Sequence, residues 1–125
     1  MTTRTRLPNR RESVTQKLRV GHRQRTVYLS TDTTSPPREL FVRVRGTDCT
    51  AETVALYDCL ARLVSLALQY GAPLEIVGKM LRGVKVEPAG IVTGHDQIHF
   101  CSSLPDVIGQ HLLTLSPNAP PPPQE

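Results

Sequence analysis

The spacing of apolar residues changes once, in the middle of the chain, and that change constrains the fold more than any other feature. In Leu40–Arg45 the residues alternate: Leu40, Val42 and Val44 fall on one side, Phe41, Arg43 and Arg45 on the other. A period of two marks a strand with two unlike faces. Further along, Leu56, Leu60, Leu63, Val64, Ala67 and Leu68 recur at helical spacing and make a broad apolar stripe. Thr50 stands where a helix N-cap is needed, Glu52 suits the positive end of the helix dipole, and Gly71 is placed to stop the helix near Tyr70. Strand and helix in direct succession point to an α+β domain.

The flanking segments extend this reading. Val27–Ser30 has strand character and is expected to form an antiparallel hairpin with Leu40–Arg45. The connection TDTTSPPRE is rich in turn formers and longer than a tight turn needs. Leu18–Val20 either opens the first strand or adds a third. A second helix is predicted from Pro73 to Arg82, with Leu74, Val77, Met80 and Leu81 inward and Gly83 at its end. Val84–Val86 reads as a short strand and Ile98–Phe100 as a brief apolar stretch. Ser103 is set to cap a last helix, with Asp106 three residues on, Pro105 in the first turn, and Val107, Ile108, Leu112, Leu113 and Leu115 on its buried face. The expected architecture is a small antiparallel sheet packed on two central helices plus a C-terminal helix. The stripe on the first helix is wider than one small sheet covers, so a homo-oligomer, a dimer, is expected.

A chain of 125 residues has room for one domain. Its ends read differently from its body: residues 1–16 as a basic flexible arm, 17–116 as the folded domain, 117–125 as a Pro-rich disordered tail. Charge is uneven. Residues 1–26 carry Arg4, Arg6, Arg10, Arg11, Lys17, Arg19, Arg23 and Arg25 against Glu12, eight cations to one acid, net +7; the remainder is net −3, giving the overall +4. No apolar run is long enough to span a membrane, and the N-terminus lacks the apolar core of a signal peptide. Three cysteines without a close pair argue against a disulfide framework, so a cytoplasmic location is expected.

No nucleophile–base pair, phosphate-cradling glycine loop or paired carboxylate motif is visible. His95, His99 and Cys101 lie close together and His111 follows, all of types that bind zinc, yet H-x3-H-x-C is not a standard zinc spacing, and structural or surface roles are expected instead. On a strand, His99 and Cys101 would share a side. Cys59, inside the apolar helix, reads as a small buried residue, and Cys49, ahead of that helix, as the more reactive thiol. The polar turn Gly90–Asp96, with Thr93, His95 and Asp96, is the surface candidate for a ligand or partner. Arg23, Arg25, Arg43 and Arg45 are expected to form a basic patch on the hairpin, where the guanidinium fork suits phosphate. Aromatic and basic residues do not interleave along the chain as they do where single strands are stacked.

TQKLRV (Thr15–Val20), VYLS (Val27–Ser30), LALQYGAPLE (Leu66–Glu75), EPAGIVTGHDQI (Glu87–Ile98) and SSLPD (Ser102–Asp106) occur in this order. Together they resemble the small C-terminal domain of cobalamin-dependent (class II) ribonucleotide reductases, a domain also found alone and named TSCPD for a Thr-Ser-Cys-Pro-Asp motif. The resemblance covers about Thr15 to Leu115. Leu104 stands where the motif cysteine would be, and members that bind metal through four cysteines are matched here only by Cys49, Cys59 and Cys101. The resemblance implies an auxiliary module of deoxyribonucleotide synthesis that docks on a reductase catalytic chain. It implies no cofactor in this chain, adenosylcobalamin belonging to the full-length enzymes. The arginine patch motivates the alternative, a free-standing nucleotide- or phosphate-binding protein.

Overall fold

The computed structural model describes residues 3–22 and 25–117. Its elements run β1 (Ser13–Val20), β2 (Arg25–Asp32), β3 (Leu40–Arg45), α1 (Ala51–Gln69), α2 (Leu74–Leu81), β4 (Gly90–Thr93), β5 (Phe100–Cys101) and α3 (Leu104–Thr114). The strands form one antiparallel sheet in the order β3-β2-β1-β4-β5, so the fold is α+β. β1 begins at Ser13, earlier than the boundary at residue 16 expected from composition, because its whole length pairs with β2 from Ser13↔Asp32 to Val20↔Arg25.

Register lines up one apolar face. Leu18, Val27 and Val44 stand in one row, Leu29 and Val42 in the next, and Val20 lies beside Val92, all buried. The hairpin loop after β2 is organised by the Asp32 carboxylate, which accepts from the backbone N–H of Arg38 (2.7 Å) and Glu39 (2.8 Å) and from the Thr34 hydroxyl.

α1 starts on Thr50, whose hydroxyl accepts from Thr53 N–H. It lies along the free edge of β3. There Ser65 Oγ accepts from Leu40 N–H (2.8 Å) and donates to the Leu40 carbonyl (3.0 Å), satisfying edge groups that would otherwise invite another strand. The covered side of α1 comprises Tyr57, Leu60, Ala61, Val64 and Leu68. Leu56 (60% exposed) and Leu63 (65%) are not on it, contrary to the single broad stripe expected, and Cys59 is exposed rather than buried. Two adjacent stripes had merged in the one-dimensional pattern.

α2 and α3 cross at Gly78 and Gly109. A Cβ on Gly109 would lie 2.6 Å from the Gly78 carbonyl oxygen, and one on Gly78 would lie 2.8 Å from Leu113 Cγ. This close approach turns α2 so that Leu74 and Gly78 face inward while Met80, expected inside, is left 76% exposed. Val84–Val86 forms no strand; both valines are exposed and Val86 N–H donates to the Ser102 carbonyl (3.2 Å). α3 is capped by Ser103 Oγ, which accepts from Asp106 N–H (2.9 Å). Asp106 departs from the simple capping box. Its carboxylate accepts from Gly83 N–H and Ser102 N–H, both at 2.7 Å, tying the end of α2 and the end of β5 to the start of α3.

Candidate functional site

Of the segment Gly90–Asp96 read from the sequence as a polar turn, Gly90–Thr93 is strand β4, because it pairs with β1 and β5, and the turn itself begins at Gly94. Gly94, at φ +94°, lets the chain pass so close to β1 that a Cβ would sit 2.7 Å from the Lys17 carbonyl oxygen, and its own carbonyl accepts from Gln16 Nε2 (2.5 Å). His95 then enters the protein. Its Nδ1 accepts from two backbone donors, Gln97 N–H (3.0 Å) and Ile98 N–H (3.1 Å), so that nitrogen carries a lone pair and Nε2 carries the proton. Nε2 lies 3.0 Å from His111 Nδ1, which must therefore be the acceptor; the rings meet edge to face at 5.3 Å. Both imidazoles are neutral. Burial lowers the pKa of His95, with His99 adding and Asp96 opposing, and burial followed by the neighbouring His95 lowers that of His111 to about 4.

The pair lines a polar cleft of about 400 Å³ between the hairpin loop and the end of α3, with Gln16, Thr34, Asp96 and Thr114 among its walls. His99 and Cys101 do not join it. His99 is exposed and Cys101 is fully buried, so they do not share a side, because the two-residue β5 begins only at Phe100. Burial raises the Cys101 thiol pKa above its usual value. Among the described residues no three of His, Cys, Asp and Glu converge on a common point; of the four residues grouped by sequence only His95 and His111 meet.

The arginine patch is divided by the sheet. Arg43 and Arg45 are exposed on the outward face of β3. Arg25 lies on the inward side, 6% exposed, with its guanidinium 2.9 Å from the Asp48 carboxylate and its Nε lacking a partner among the described residues. The reason is parity: Arg25 shares its face with Val27 and Leu29. Arg23 lies outside the described residues. Thr93 is exposed on the outward face, paired with Arg19.

Register supplies what the patch lost. Arg45, Thr26 and Arg19 form one outward row, continued by Thr93; Arg43, Tyr28 and Lys17 form the next. Lys17 Nζ is 5.8 Å and the Arg45 guanidinium 5.9 Å from the centre of the Tyr28 ring. Lys17, Arg19 and Tyr28 lie outside the arginine patch expected from sequence. The signal was present in β1, where Lys17 and Arg19 alternate with Leu18 and Val20. Beside these rows a groove of about 780 Å³ runs over Tyr28, Phe41 and Arg43, walled by Ala51, Val54, Ala55 and Asp58 of α1.

α1 also presents an outward seam. Leu56, Cys59, Leu63, Leu66 and Tyr70 are all exposed and spaced alternately by three and four residues. That is the spacing of helix faces that dock on other helices.

The described residues thus combine a small sheet with an open outward face and an exposed helix seam. The TSCPD domain profile matches residues 1–115, and the chain belongs to that family. It is 38% identical over 111 residues to a vitamin B12-dependent ribonucleotide reductase of Agrobacterium fabrum, a match covering 87% of this chain and 8% of that protein. Proteins of the same name from Bradyrhizobium diazoefficiens (36% over 117 residues, 90% of this chain and 9% of that protein) and Rhodopirellula baltica (28% over 109 residues, 87% and 10%) are also similar. The chain thus spans about a tenth of the length of these relatives. No solved structure matches it significantly. Among the described residues no helix is long and apolar enough to cross a membrane.

Proposed function

We propose that this domain is a non-catalytic module of deoxyribonucleotide synthesis that assembles with a B12-dependent ribonucleotide reductase catalytic chain. The observation that carries the docking is the outward seam of α1. A 19-residue helix with one apolar side covered and a second left open at three-four spacing is suited to receive another helix. The similarity to B12-dependent ribonucleotide reductases over nearly the whole chain supports a reductase catalytic chain as the partner. The B12 cofactor is left to that partner. Both ring nitrogens of His95 are already committed to hydrogen bonds and the Cys101 thiol is fully buried, so neither is free to ligate.

The test is co-purification of the chain with a reductase catalytic chain, with reductase activity measured with and without it. Association that is lost in Leu63→Glu, a substitution at an exposed position, supports the reading. Absence of association, or association indifferent to Leu63→Glu, defeats it. Light scattering of the chain alone gives the other occupant of the seam: a dimer that Leu63→Glu converts to monomer would assign the seam to a second copy.

A further inference from the structure

We infer that the outward face of the sheet is a binding site for a nucleoside polyphosphate. This does not rest on the docking reading, because it uses β1, β2, β3 and the groove beside them rather than the seam.

Four cations, Lys17, Arg19, Arg43 and Arg45, surround Thr26 and Tyr28 on two adjacent rows of the sheet. Strand spacing puts the β1 and β3 members about 10 Å apart, and residues two apart on one strand are separated by about 7 Å. That frame matches the span of a short phosphate chain. At the outward positions of β1, β2 and β3 the one acid is Asp32, 5% exposed at the end of β2, with its carboxylate turned to the loop backbone. The frame therefore offers positive charge with no acidic neighbour among those positions. An anion is the complementary ligand, and guanidinium groups favour phosphate oxygens.

The groove extends this to a nucleotide. It adjoins the cations at Arg43 and is otherwise floored by Tyr28 and Phe41 and walled by Ala51, Val54 and Ala55. Phe41 is 53% exposed and Val54 40%, an uncovered aromatic beside an uncovered aliphatic. A base slides between such walls, and its volume suits a groove of this size. Asp58, the acid in the wall, can accept from a ribose hydroxyl or an exocyclic amine. A free phosphate would use the frame alone.

The experiment is isothermal titration of the full chain at low salt with ATP, inorganic triphosphate, adenosine and a ten-residue single-stranded oligonucleotide. Saturable ATP binding is expected, weakened about tenfold by Arg43→Ala and by Lys17→Ala, as for loss of one charge-assisted contact. Phe41→Ala should weaken ATP but leave inorganic triphosphate unchanged, and Arg62→Ala on α1 should leave both unchanged. No saturable binding of ATP overturns the inference. Equal affinity for inorganic triphosphate and ATP overturns the base groove, and an oligonucleotide that binds more than tenfold tighter than ATP reassigns the face to nucleic acid.

Discussion

His95 and His111 show at the scale of single residues how local chemistry is set by three-dimensional neighbours. Each uses its unprotonated nitrogen as an acceptor: His95 for two backbone amides, His111 for His95 itself. Protonating either replaces an acceptor by a donor facing a donor. The His111 pKa of about 4 follows from this arrangement and from burial. In the unfolded chain the same group has its ordinary value of 6.5. Between these values the unfolded state binds the extra proton, so stability is fully present above about pH 6.5 and declines as pH falls towards 4. The loss should reach about 3 kcal/mol from His111, with His95 contributing in the same direction. Urea titrations at pH 7.5 and pH 4.5 measure it; in His111→Gln the difference between the two should shrink. Thiol reactivity belongs to the same scale. Cys59, exposed on α1, should be modified readily in the native state, whereas Cys101 should react only on unfolding, a contrast read by mass spectrometry of alkylated peptides.

Helix boundaries, the unit of the next scale, were legible because caps are written in adjacent residues. Thr50 and Ser103 cap as expected, and the Leu40–Arg45 alternation matches the buried and exposed faces of β3. What adjacent residues did not reveal is which side of an element would be covered. The apolar positions of α1 fit two overlapping stripes, and only its placement against the β3 edge decides that Val64 is inside and Leu63 outside. The α2–α3 crossing carries a prediction of its own. In an exposed helix, Gly→Ala is favourable by about 1 kcal/mol. At Gly109 the added methyl meets the Gly78 carbonyl at 2.6 Å and Arg82 N at 2.7 Å, so Gly109→Ala should instead destabilise by about 1–3 kcal/mol in thermal or urea unfolding.

For the whole molecule, the two faces of the sheet differ in burial and charge, and Arg25 tests that separation. Grouped with Arg43 and Arg45 by sequence, it is set apart from them by parity and held against Asp48. Arg25→Ala should cost about 1–3 kcal/mol of stability through lost packing of its buried side chain and loss of its contact with Asp48. It should leave ATP affinity unchanged at temperatures where the variant is folded. Arg45→Ala should do the reverse, since Arg45 is exposed and its neighbours are cations and Tyr28. Unfolding curves and titrations on the same two variants separate these outcomes.

The sequence alone determined the α+β class, the caps, the alternation of β3 and the family, since each depends on residues within a few positions of one another or on ordered motifs. It did not determine which residues meet across strands. Basic and aromatic side chains do not interleave along the chain, yet Arg43, Tyr28 and Lys17 interleave across three strands of it. Register brings Lys17 and Arg43 onto the two sides of Tyr28 from positions far apart in sequence, and a shift of one residue would have turned Lys17 and Arg19 inward. Strand pairing, and with it the cation frame, was therefore decided by packing of the opposite face, where Leu18, Val27 and Val44 must be buried together.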